Sequence, residues 1–219
     1  MALPEVLRIE NGAYRENAWV AFCGGAEAVV VDPGDEAGRI LEAVSKSRAA
    51  VREVLLTHGH VDHMSALGEI LAAFPGAKLR ISPADEEWCF SADWNAMPPY
   101  AVPARPARSR IASVADGDSF RVGDVAFRVV STPGHSPGSV CYLAESGGQE
   151  RPDALFSGDT LFAGSIGRTD LPGGDDAAMR ASLDRLAALA PDTVVLPGHG
   201  PATTIAREIA SNPFLRHDY

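Results

Sequence analysis

A chain of 219 residues, of which 46% are hydrophobic and 22% charged, has the composition of an ordinary globular protein with a sizeable core. Its 29 acidic residues outnumber its 19 basic ones, and the net charge of -10 repels phosphate backbones, so no nucleic acid partner is expected. No stretch approaches the roughly 18 consecutive apolar residues of a membrane span, and the first residues lack the pattern of a signal peptide. We therefore expect a cytoplasmic protein with no membrane partner, and we interpret the three widely spaced cysteines as free thiols in a reducing compartment.

Hydrophobic periodicity predicts strands and helices mixed along the whole chain. Two apolar runs on either side of Gly24-Gly25 predict a hairpin, and the break at Asp32-Pro-Gly is followed by a helix with Asp35 as its cap. The predicted strands cover residues 17–22, 28–32, 51–57, 79–82, 119–122, 125–130, 139–143, 154–157 and 193–196. Apolar residues predict helices at 40–44, 67–74, 179–189 and 203–210. This mixture of hairpins and crossovers indicates a layered α/β sandwich, and nothing marks a boundary within residues 1–219, so a single domain is predicted.

Residues 90–110 interrupt this pattern with four prolines and with Trp94 and Tyr100. A segment of this kind is expected to form a loop over the surface or over a site. It also contains Arg105, Arg108 and Arg110, so we predict that it forms a partial lid over the substrate.

Four of the predicted strands end abruptly in a Gly-His or Gly-Asp pair. Loops after strand ends are where α/β proteins place their sites, and a glycine beside the polar residue leaves room for a tight turn. We predict that the four loops converge on one edge of a sheet. The strings are Leu-Thr-His-Gly-His at 56–60, Thr-Pro-Gly-His at 132–135, Ser-Gly-Asp at 157–159 and Leu-Pro-Gly-His at 196–199.

The densest group of metal-type ligands is the string His58-Gly-His60-Val-Asp62-His63. Residues two apart in an extended segment point the same way, so His58 and His60 can bind one ion. A turn into the following helix would bring Asp62 and His63 to a neighbouring point. Three histidines and an aspartate so close together have almost no purely structural justification, and the string therefore predicts a metal site.

The three later strand ends supply partners for both pairs. We predict that His135 completes the first group, that His199 completes the second, and that Asp159 bridges two ions with its two oxygens. Two ions roughly 3.5–4 Å apart can share a hydroxide and hold it against an electrophile, with Asp62 and Asp159 orienting it. Mixed His and Asp ligands accept zinc, iron or manganese, and we predict two divalent ions with zinc as the first candidate. His217 fits neither group and is expected to be solvated.

Two other residues have competing interpretations. Asp32 can orient a ligating histidine or a metal-bound water, or it can act as a cap in a turn. Ser136 lies in a Gly-x-Ser-x-Gly string, which is also the nucleophile elbow of serine hydrolases, but that motif needs a helix directly after the serine. Here Pro137 and a predicted strand follow, so we interpret Ser136 as a turn residue beside His135.

Together these strings resemble the metallo-β-lactamase superfamily over nearly the whole chain, from Asn17-Ala-Trp-Val to Pro197-Gly-His-Gly-Pro. The resemblance implies a four-layer αβ/βα sandwich with two similar halves and the metals at one edge. Asp159 stands where β-lactamases carry a cysteine, which argues against that activity, and the acidic charge without a large inserted domain argues against the nucleases. The ligands that the resemblance implies are His58, His60, Asp62, His63, His135, Asp159 and His199.

Two strings around and after Asp159 are similar to the glyoxalase II group, and specifically to its short bacterial members. They are Phe-Ser-Gly-Asp-Thr-Leu-Phe at 156–162 and Ile-Gly-Arg-Thr-Asp-Leu-Pro-Gly-Gly-Asp at 166–175. The likeness implies hydrolysis of a small-molecule thioester such as S-lactoylglutathione. Larger members carry a lysine and an aromatic residue where this chain has Arg168 and Asp170. Arg168 either binds a substrate carboxylate or forms a structural salt bridge with Asp170 or Asp175.

Persulfide dioxygenases share this fold and the Gly-Arg-Thr-Asp string, and they offer an alternative. Resemblance to them implies one iron bound by His58, His135 and Asp159, with open positions for oxygen. The continuation Leu-Pro-Gly-Gly-Asp at 171–175 favours the hydrolase. A metal-binding or interaction module without activity is disfavoured because all seven ligands are present. The sequence predicts no oligomeric state.

Overall fold

The first of two sheets comes from the N-terminal half of the chain; the computed structural model describes residues 4–145 and 152–216. In spatial as well as chain order its strands are β1 (Glu5–Asn11), β2 (Glu16–Phe22), β3 (Glu27–Val31), β4 (Ala50–Leu55), β5 (Lys78–Ile81) and β6 (Ile111–Ser113). The sheet is antiparallel from β1 to β3 and parallel from β3 to β6. The parallel part requires crossovers, which contain α1 (Ala37–Ser47), α2 (Leu67–Ala73), α3 (Pro83–Glu86) and α4 (Ala92–Asn95).

The second sheet comes from the C-terminal half. Its strands are β7 (Ser119–Val122), β8 (Val125–Ser131), β9 (Val140–Glu145), β10 (Ala154–Gly158), β13 (Val194–Pro197) and β14 (Thr203–Thr204), in the order β14-β13-β10-β9-β8-β7. A separate hairpin, β11 (Leu161–Phe162) and β12 (Ser165–Ile166), follows β10. The helices of this half are α5 (Asp176–Ala187) and α6 (Ile205–Ser211).

The core has three apolar layers, one between the two sheets and one between each sheet and its helices. In β2, Trp19 and Ala21 pack between the two sheets, whereas Ala18 and Val20 pack against α1 and α2. The second sheet does the same, with one face toward the first sheet and the other toward α5 and α6. Since residues in a strand point alternately to its two faces, each sheet is apolar on both sides. The order helix, sheet, sheet, helix confirms the predicted four-layer sandwich.

The N-terminal cap of α1 differs from the prediction. The helix begins at Ala37 after Glu36, whose φ of 50° is left-handed, and it has no side-chain cap. Asp35 instead donates its backbone N–H to Asn11 Oδ1 at 2.8 Å. Strands β1, β6, β11, β12 and β14 were not predicted either, because half-exposed or very short strands leave little hydrophobic pattern.

The arginines of residues 90–110 do not cover a site. Arg105 forms an ion pair with Glu86, and Arg108 approaches the same carboxylate at 4.0 Å. Arg110 donates to the carbonyl oxygens of Leu71, Phe74 and Ala77, around the end of α2. The arginine part of the predicted lid is therefore wrong, because these residues are fastened to the helical face of the first sheet. Trp94 and Met97, earlier in the segment, do line a cavity together with His60.

All three cysteines, Cys23, Cys89 and Cys141, are buried and unpaired. Burial raises the pKa of the Cys23 and Cys89 thiols to about 12 and that of Cys141 to about 11. No helix within residues 4–145 and 152–216 has both the length and the apolar character that crossing a membrane requires. His217 lies outside the described residues, and the single-domain assignment stays a prediction.

Candidate metal centre

The seven predicted ligands lie together at one edge of the two sheets. The loop after β4 carries four of them, and the loops after β8, β10 and β13 carry one each. The carboxyl ends of these strands therefore converge, as the repeated Gly-His and Gly-Asp endings predict.

The loop after β4 is held in shape by a buried amide. After His60, whose backbone is extended, the chain turns at once into a 3₁₀ turn at Val61–His63. Asn95 accepts the backbone N–H of Val61 at 3.0 Å and donates to the carbonyl of Gly59 at 2.7 Å. A side chain at position 59 would place its Cβ 2.6 Å from the Cβ of Cys89, so this close approach requires glycine.

Two groups of ligand atoms result from this geometry. The first group is His58, His60 and His135, with His60 Nδ1 and His135 Nε2 2.9 Å apart. The second group is Asp62, His63 and His199, in which Asp62 Oδ2 lies 3.8 Å from His63 Nε2 and 3.5 Å from His199 Nε2. Within each group the ligand atoms lie within 4.8 Å of one another.

Asp159 lies between the two groups. Its Oδ1 is 3.4 Å from His63 Nε2, and its Oδ2 is 3.6 Å from both His135 Nε2 and His199 Nε2. One carboxylate thus faces imidazoles of both groups, which is the position that the bridging role requires.

Four of the five histidines have their outer ring nitrogen bonded to a protein oxygen. Three of these oxygens belong to a carboxylate or a carbonyl, which can only accept, so in the neutral ring the outer nitrogen carries the proton and the inner nitrogen has the lone pair that a metal needs. The contacts are His58 Nδ1 to Thr57 Oγ1 (3.0 Å), His63 Nδ1 to Asp32 Oδ2 (3.1 Å), His135 Nδ1 to the Arg168 carbonyl (2.7 Å) and His199 Nδ1 to the Tyr14 carbonyl (3.2 Å).

Three of the inner atoms are buried and have no hydrogen-bond partner within the described chain: His58 Nε2, His63 Nε2 and Asp159 Oδ1. Buried polar atoms are normally satisfied, so such a cluster calls for a ligand. Imidazole nitrogens and carboxylate oxygens are the donors that zinc, iron and manganese accept. The residues present therefore fit divalent metal ions.

Asp32 orients one histidine of each group. It accepts the backbone N–H of Thr57 at 2.8 Å, the Thr57 hydroxyl at 2.7 Å and the Nδ1–H of His63 at 3.1 Å. Because the Thr57 hydroxyl donates to Asp32, its oxygen is left to accept the Nδ1–H of His58. The contacts of the Asp32 side chain thus agree with the interpretation in which it orients a ligating histidine.

Two rings of the first group, those of His58 and His60, are held neutral. Burial, reinforced by neighbouring imidazoles, holds the pKa of His58 well below its usual value and lowers that of His60 to about 4. At neutral pH both rings are therefore uncharged and can donate a lone pair to a metal.

The second group is electrostatically different. Burial lowers the pKa of His63, but Asp159, Asp62 and Asp32 together raise it well above its usual value. Burial likewise opposes the rise in the pKa of His199, which Asp62 and Asp159 cause. The carboxylates in this group thus attract positive charge, which a divalent ion supplies.

A buried carboxylate that the sequence analysis missed connects two ligand loops. Asp85 accepts the backbone N–H groups of Gly59 (2.8 Å) and Gly138 (2.7 Å) and the hydroxyl of Ser136 (2.6 Å). It therefore joins the loop after β4 to the loop after β8. Ser136 is buried in this network and β9 follows it, which rules out the helix that a nucleophile elbow needs. Nothing in the sequence around Asp85 distinguishes it from an ordinary helix-start aspartate.

Two adjoining cavities open at this edge. The metal cavity, of about 610 Å³, is lined by ligands of both groups and by Tyr14, Phe162, Ile166 and Arg168. The apolar cleft, of about 510 Å³, is lined chiefly by Trp88, Trp94, Met97, Pro137, Leu171 and Pro172.

Arg168 lies at the mouth of the metal cavity, as predicted, but its guanidinium is already paired. Its Nε and Nη2 donate to the two carboxylate oxygens of Asp170 at 2.6 and 2.8 Å, and both side chains are well exposed. This contact is the structural salt bridge with Asp170, which was the alternative to substrate binding in the sequence-based interpretation of Arg168.

A family model described as the metallo-beta-lactamase superfamily matches residues 11–199. The chain belongs to this superfamily. Among its relatives, it is 34% identical to "Probable metallo-hydrolase YqgX" of Bacillus subtilis, over 95% of this chain and 96% of that one. It is 28% identical to "Hydroxyacylglutathione hydrolase GloC" of Haemophilus influenzae, over 93% and 94% of the two chains.

Solved structures of the superfamily show the same fold. The BLEG-1 B3 metallo-beta-lactamase superposes with a TM-score of 0.87 at 34% identity, covering 96% of this chain and 99% of that one. The di-iron-bound form of TTHA1623 gives 0.79 at 36% identity, covering 95% and 100%. ETHE1 from Myxococcus xanthus gives 0.75 at 27% identity, covering 95% and 83%.

Membership of the metallo-β-lactamase superfamily and the cluster of His and Asp ligands together indicate a metal-dependent hydrolase. The donor set suits divalent ions, and a di-iron relative shows that the superfamily is not restricted to zinc. The individual ligand roles of the seven residues stay predictions.

Proposed function

We propose that this protein hydrolyses a thioester at a centre of two divalent ions, with zinc as the first candidate metal and S-lactoylglutathione or a relative as the first candidate substrate. The observation that carries the proposal is Asp159, whose carboxylate faces histidines of both ligand groups at 3.4–3.6 Å. The full-length likeness to a hydroxyacylglutathione hydrolase supports the substrate class. A small-molecule substrate and a cytoplasmic location are part of the same proposal.

Divalent ions bound by the two groups would make a water molecule nucleophilic at neutral pH and would polarise the substrate carbonyl. Asp62 and Asp159 face the space between the groups, where their Oδ2 atoms lie 3.5 and 3.6 Å from His199 Nε2. They would orient the attacking water. Asp32 keeps His58 and His63 in the orientation that this geometry needs.

The leaving group explains why no further acid is required. A thiol has a pKa of about 8.5, far below that of an alcohol, so a thiolate departs without being protonated first. Apart from the predicted ligands, the described residues that line the metal cavity include no histidine and no carboxylic acid. This lining suits a thioester better than an ester or amide, whose leaving groups need a proton.

The test combines metal analysis with two activity measurements on the same preparation. We expect two metal ions per chain, release of thiol from S-lactoylglutathione, and no oxygen uptake with glutathione persulfide. The His60→Ala variant removes a ligand of the first group and should lose metal and most thioester cleavage. A fully active His60→Ala variant would contradict the two-metal centre.

The main competing function is that of a mononuclear iron dioxygenase. The likeness to ETHE1 favours it, as does the 3.6 Å distance between His135 and Asp159, two of the three side chains that such an iron would use. Oxygen consumption with persulfide and no thioester cleavage would replace our proposal by this one. A β-lactam is included as a third substrate because one structural relative is described as a B3 metallo-beta-lactamase.

A further inference from the structure

The apolar cleft beside the metal cavity has no part in the mechanism described so far. Its volume of about 510 Å³ lies within the roughly 300–1,000 Å³ typical of small-molecule sites. Trp94, which lines it, is 74% exposed and so presents a large apolar surface to solvent.

The cleft is continuous with the metal cavity. His60, Met97 and Leu171 line both spaces. The His60 ring also packs against Trp88 on the cleft side, with centroids 5.5 Å apart, while its Nδ1 faces His135 on the metal side. A group that fills the cleft therefore abuts the first ligand group directly.

The cleft has no charge to offer a ligand. No Asp, Glu, Lys or Arg lines it, and His60 and Asn95 are the polar side chains among its described lining residues. The Asn95 amide is already bonded to the backbone of Gly59, Cys89 and Val61. The Trp88 indole N–H is directed to Asp85 Oδ1 at 3.3 Å. The chemistry of the walls thus selects an apolar occupant.

We propose that the apolar cleft binds the acyl chain of the thioester, so that thioesters of apolar acyl groups such as hexanoyl or phenylacetyl are cleaved faster than one with a short polar acyl group such as lactoyl. This inference depends on the proposed function for the thioester bond. The acyl group, rather than the thiol, fits the cleft, because a peptide-like thiol such as glutathione carries charged carboxylates and the cleft has no charged side chain to pair with them. The Arg168–Asp170 pair lies on the metal cavity, where a polar thiol half would be placed.

The reaction itself is ordinary hydrolysis. The oxygen of water forms a bond to the carbonyl carbon, the carbon–sulfur bond breaks, and its electron pair leaves on the thiolate. The products are the carboxylate, the thiol and a proton, and no other reactant is needed. The carbonyl carbon stays at the metal centre while the chain attached to it occupies the cleft.

The first test uses acetyl, butanoyl and hexanoyl thioesters of one neutral thiol, N-acetylcysteamine. Each methylene that enters the cleft should raise kcat/KM roughly fourfold, so hexanoyl should exceed acetyl by on the order of a hundredfold. Trp94→Ala and Leu171→Ser should each reduce the hexanoyl-to-acetyl ratio. Ile209→Ala is the matched control, because Ile209 is also an exposed apolar residue but lies on α6 and lines neither cavity.

The second test measures binding without turnover. Trp88 and Trp94 line the cleft, whereas Trp19, the third tryptophan, is buried between the sheets. The probe is the ketone analogue of the hexanoyl thioester, in which a methylene replaces sulfur. It should shift the tryptophan emission to shorter wavelength in a saturable way, and the acetyl analogue at the same concentration should not.

The outcomes separate the two proposals. Thioester cleavage that is equally fast for all chain lengths, with no emission change, would overturn the acyl site and leave the thioesterase intact. No cleavage of any thioester, with saturable binding of the hexanoyl ketone, would overturn the proposed function and keep the cleft as an apolar binding site. A hexanoyl-to-acetyl ratio that is the same in Trp94→Ala, Leu171→Ser and wild type would also overturn the acyl site.

Discussion

The two halves of the sandwich supply their ligands in different ways. In the first half, one loop after β4 carries His58, His60, Asp62 and His63, and its shape is set by nearby side chains of the same half. In the second half, the ligands come from three separate loops, after β8, β10 and β13. Their positions depend on bonds across the molecule, such as those from Asn17 and Trp19 to the carbonyl of Pro197.

The ligands of the first half are therefore positioned by contacts within that half, which we call the local half of the centre. Those of the second half depend on contacts between the two sheets, and we call them the tertiary half. The local half needs the correct spacing, the Asn95 amide that holds the loop, and one orienting carboxylate. The tertiary half needs contacts that fix the position of one sheet relative to the other. Asp85 makes one such contact, because it joins the two loops that carry the first ligand group. Substitutions of Asp32 and Asp85 should therefore have distinguishable consequences.

Replacing the orienting carboxylate of the first half should have the largest effect. Asp32 has a φ of 48°, and asparagine tolerates this left-handed region, so Asp32→Asn tests the side chain with little backbone strain. The amide would direct a donor at the His63 Nδ1–H or the Thr57 hydroxyl. We expect metal affinity to fall about 10–100-fold for both ions. Titration of metal into the chelator-treated protein measures this, with Asp35→Asn as the control; an effect confined to one ion would contradict it.

Breaking the link between the halves should affect the first group more than the second. In Asp85→Asn, an amide group faces backbone N–H donors that now lack an acceptor. We expect a loss of about 1–3 kcal/mol in the free energy of unfolding, measured with urea. One metal ion should be lost before the other, because Asp85 contacts the loops of His60 and His135 but not that of His199. Asp93→Asn, on the exposed surface of α4, is the control, and equal weakening of both ions would refute the distinction.

The neutral His60 ring predicts a pH dependence. In the metal-free protein burial lowers the pKa of His60 to about 4, below the usual 6.5. Between these values the unfolded chain binds a proton that the folded chain does not, so this residue makes stability fall as the pH falls. The His60→Gln variant should show a shallower decrease in unfolding free energy over that interval in chelator. At pH 7–8 its difference from wild type should be constant, and equal slopes in the acid interval would contradict the assignment.

The smallest effect is expected at Arg168. Exposed ion pairs contribute little, and its guanidinium is already occupied by Asp170. Arg168→Ala should therefore raise the KM of a carboxylate-bearing thioester by less than about fivefold, and that of a neutral thioester hardly at all. Asp170→Asn should instead lower the KM for the carboxylate substrate by freeing the guanidinium. A large and equal loss for both substrates would show that Arg168 is not a carboxylate anchor.

The strand-end motifs made the fold and the ligand positions predictable. Each Gly-His or Gly-Asp pair follows an apolar run, so both the element and its polar terminus are visible in a single stretch of residues. The structure brings Asp62, His63 and His199 together as the sequence predicts, because two of the three lie side by side in the hexapeptide 58–63. Their roles as metal ligands stay predictions.

The contacts that hold those ligands could not be predicted from the sequence. Asn95 and Asp85 lie in a segment without periodicity, and their bonds join residues that are 26 to 53 positions apart. Backbone acceptors, such as the carbonyls of Arg168 and Tyr14, cannot be recognised in a sequence, because every residue has a carbonyl. The arginine lid failed for the same reason, since a free-looking cation in a loop can be satisfied by a buried carboxylate elsewhere.

The buried cysteines have a practical consequence. A thiol reacts with disulfides and peroxides as its thiolate, and only when reagents can reach it. Cys23, Cys89 and Cys141 meet neither condition, because all three are buried and their pKa values are raised to about 11 or 12. A colorimetric disulfide reagent added to the folded protein should therefore report only thiol released from substrate. Turnover could be followed continuously without reductant and without a background from the protein itself.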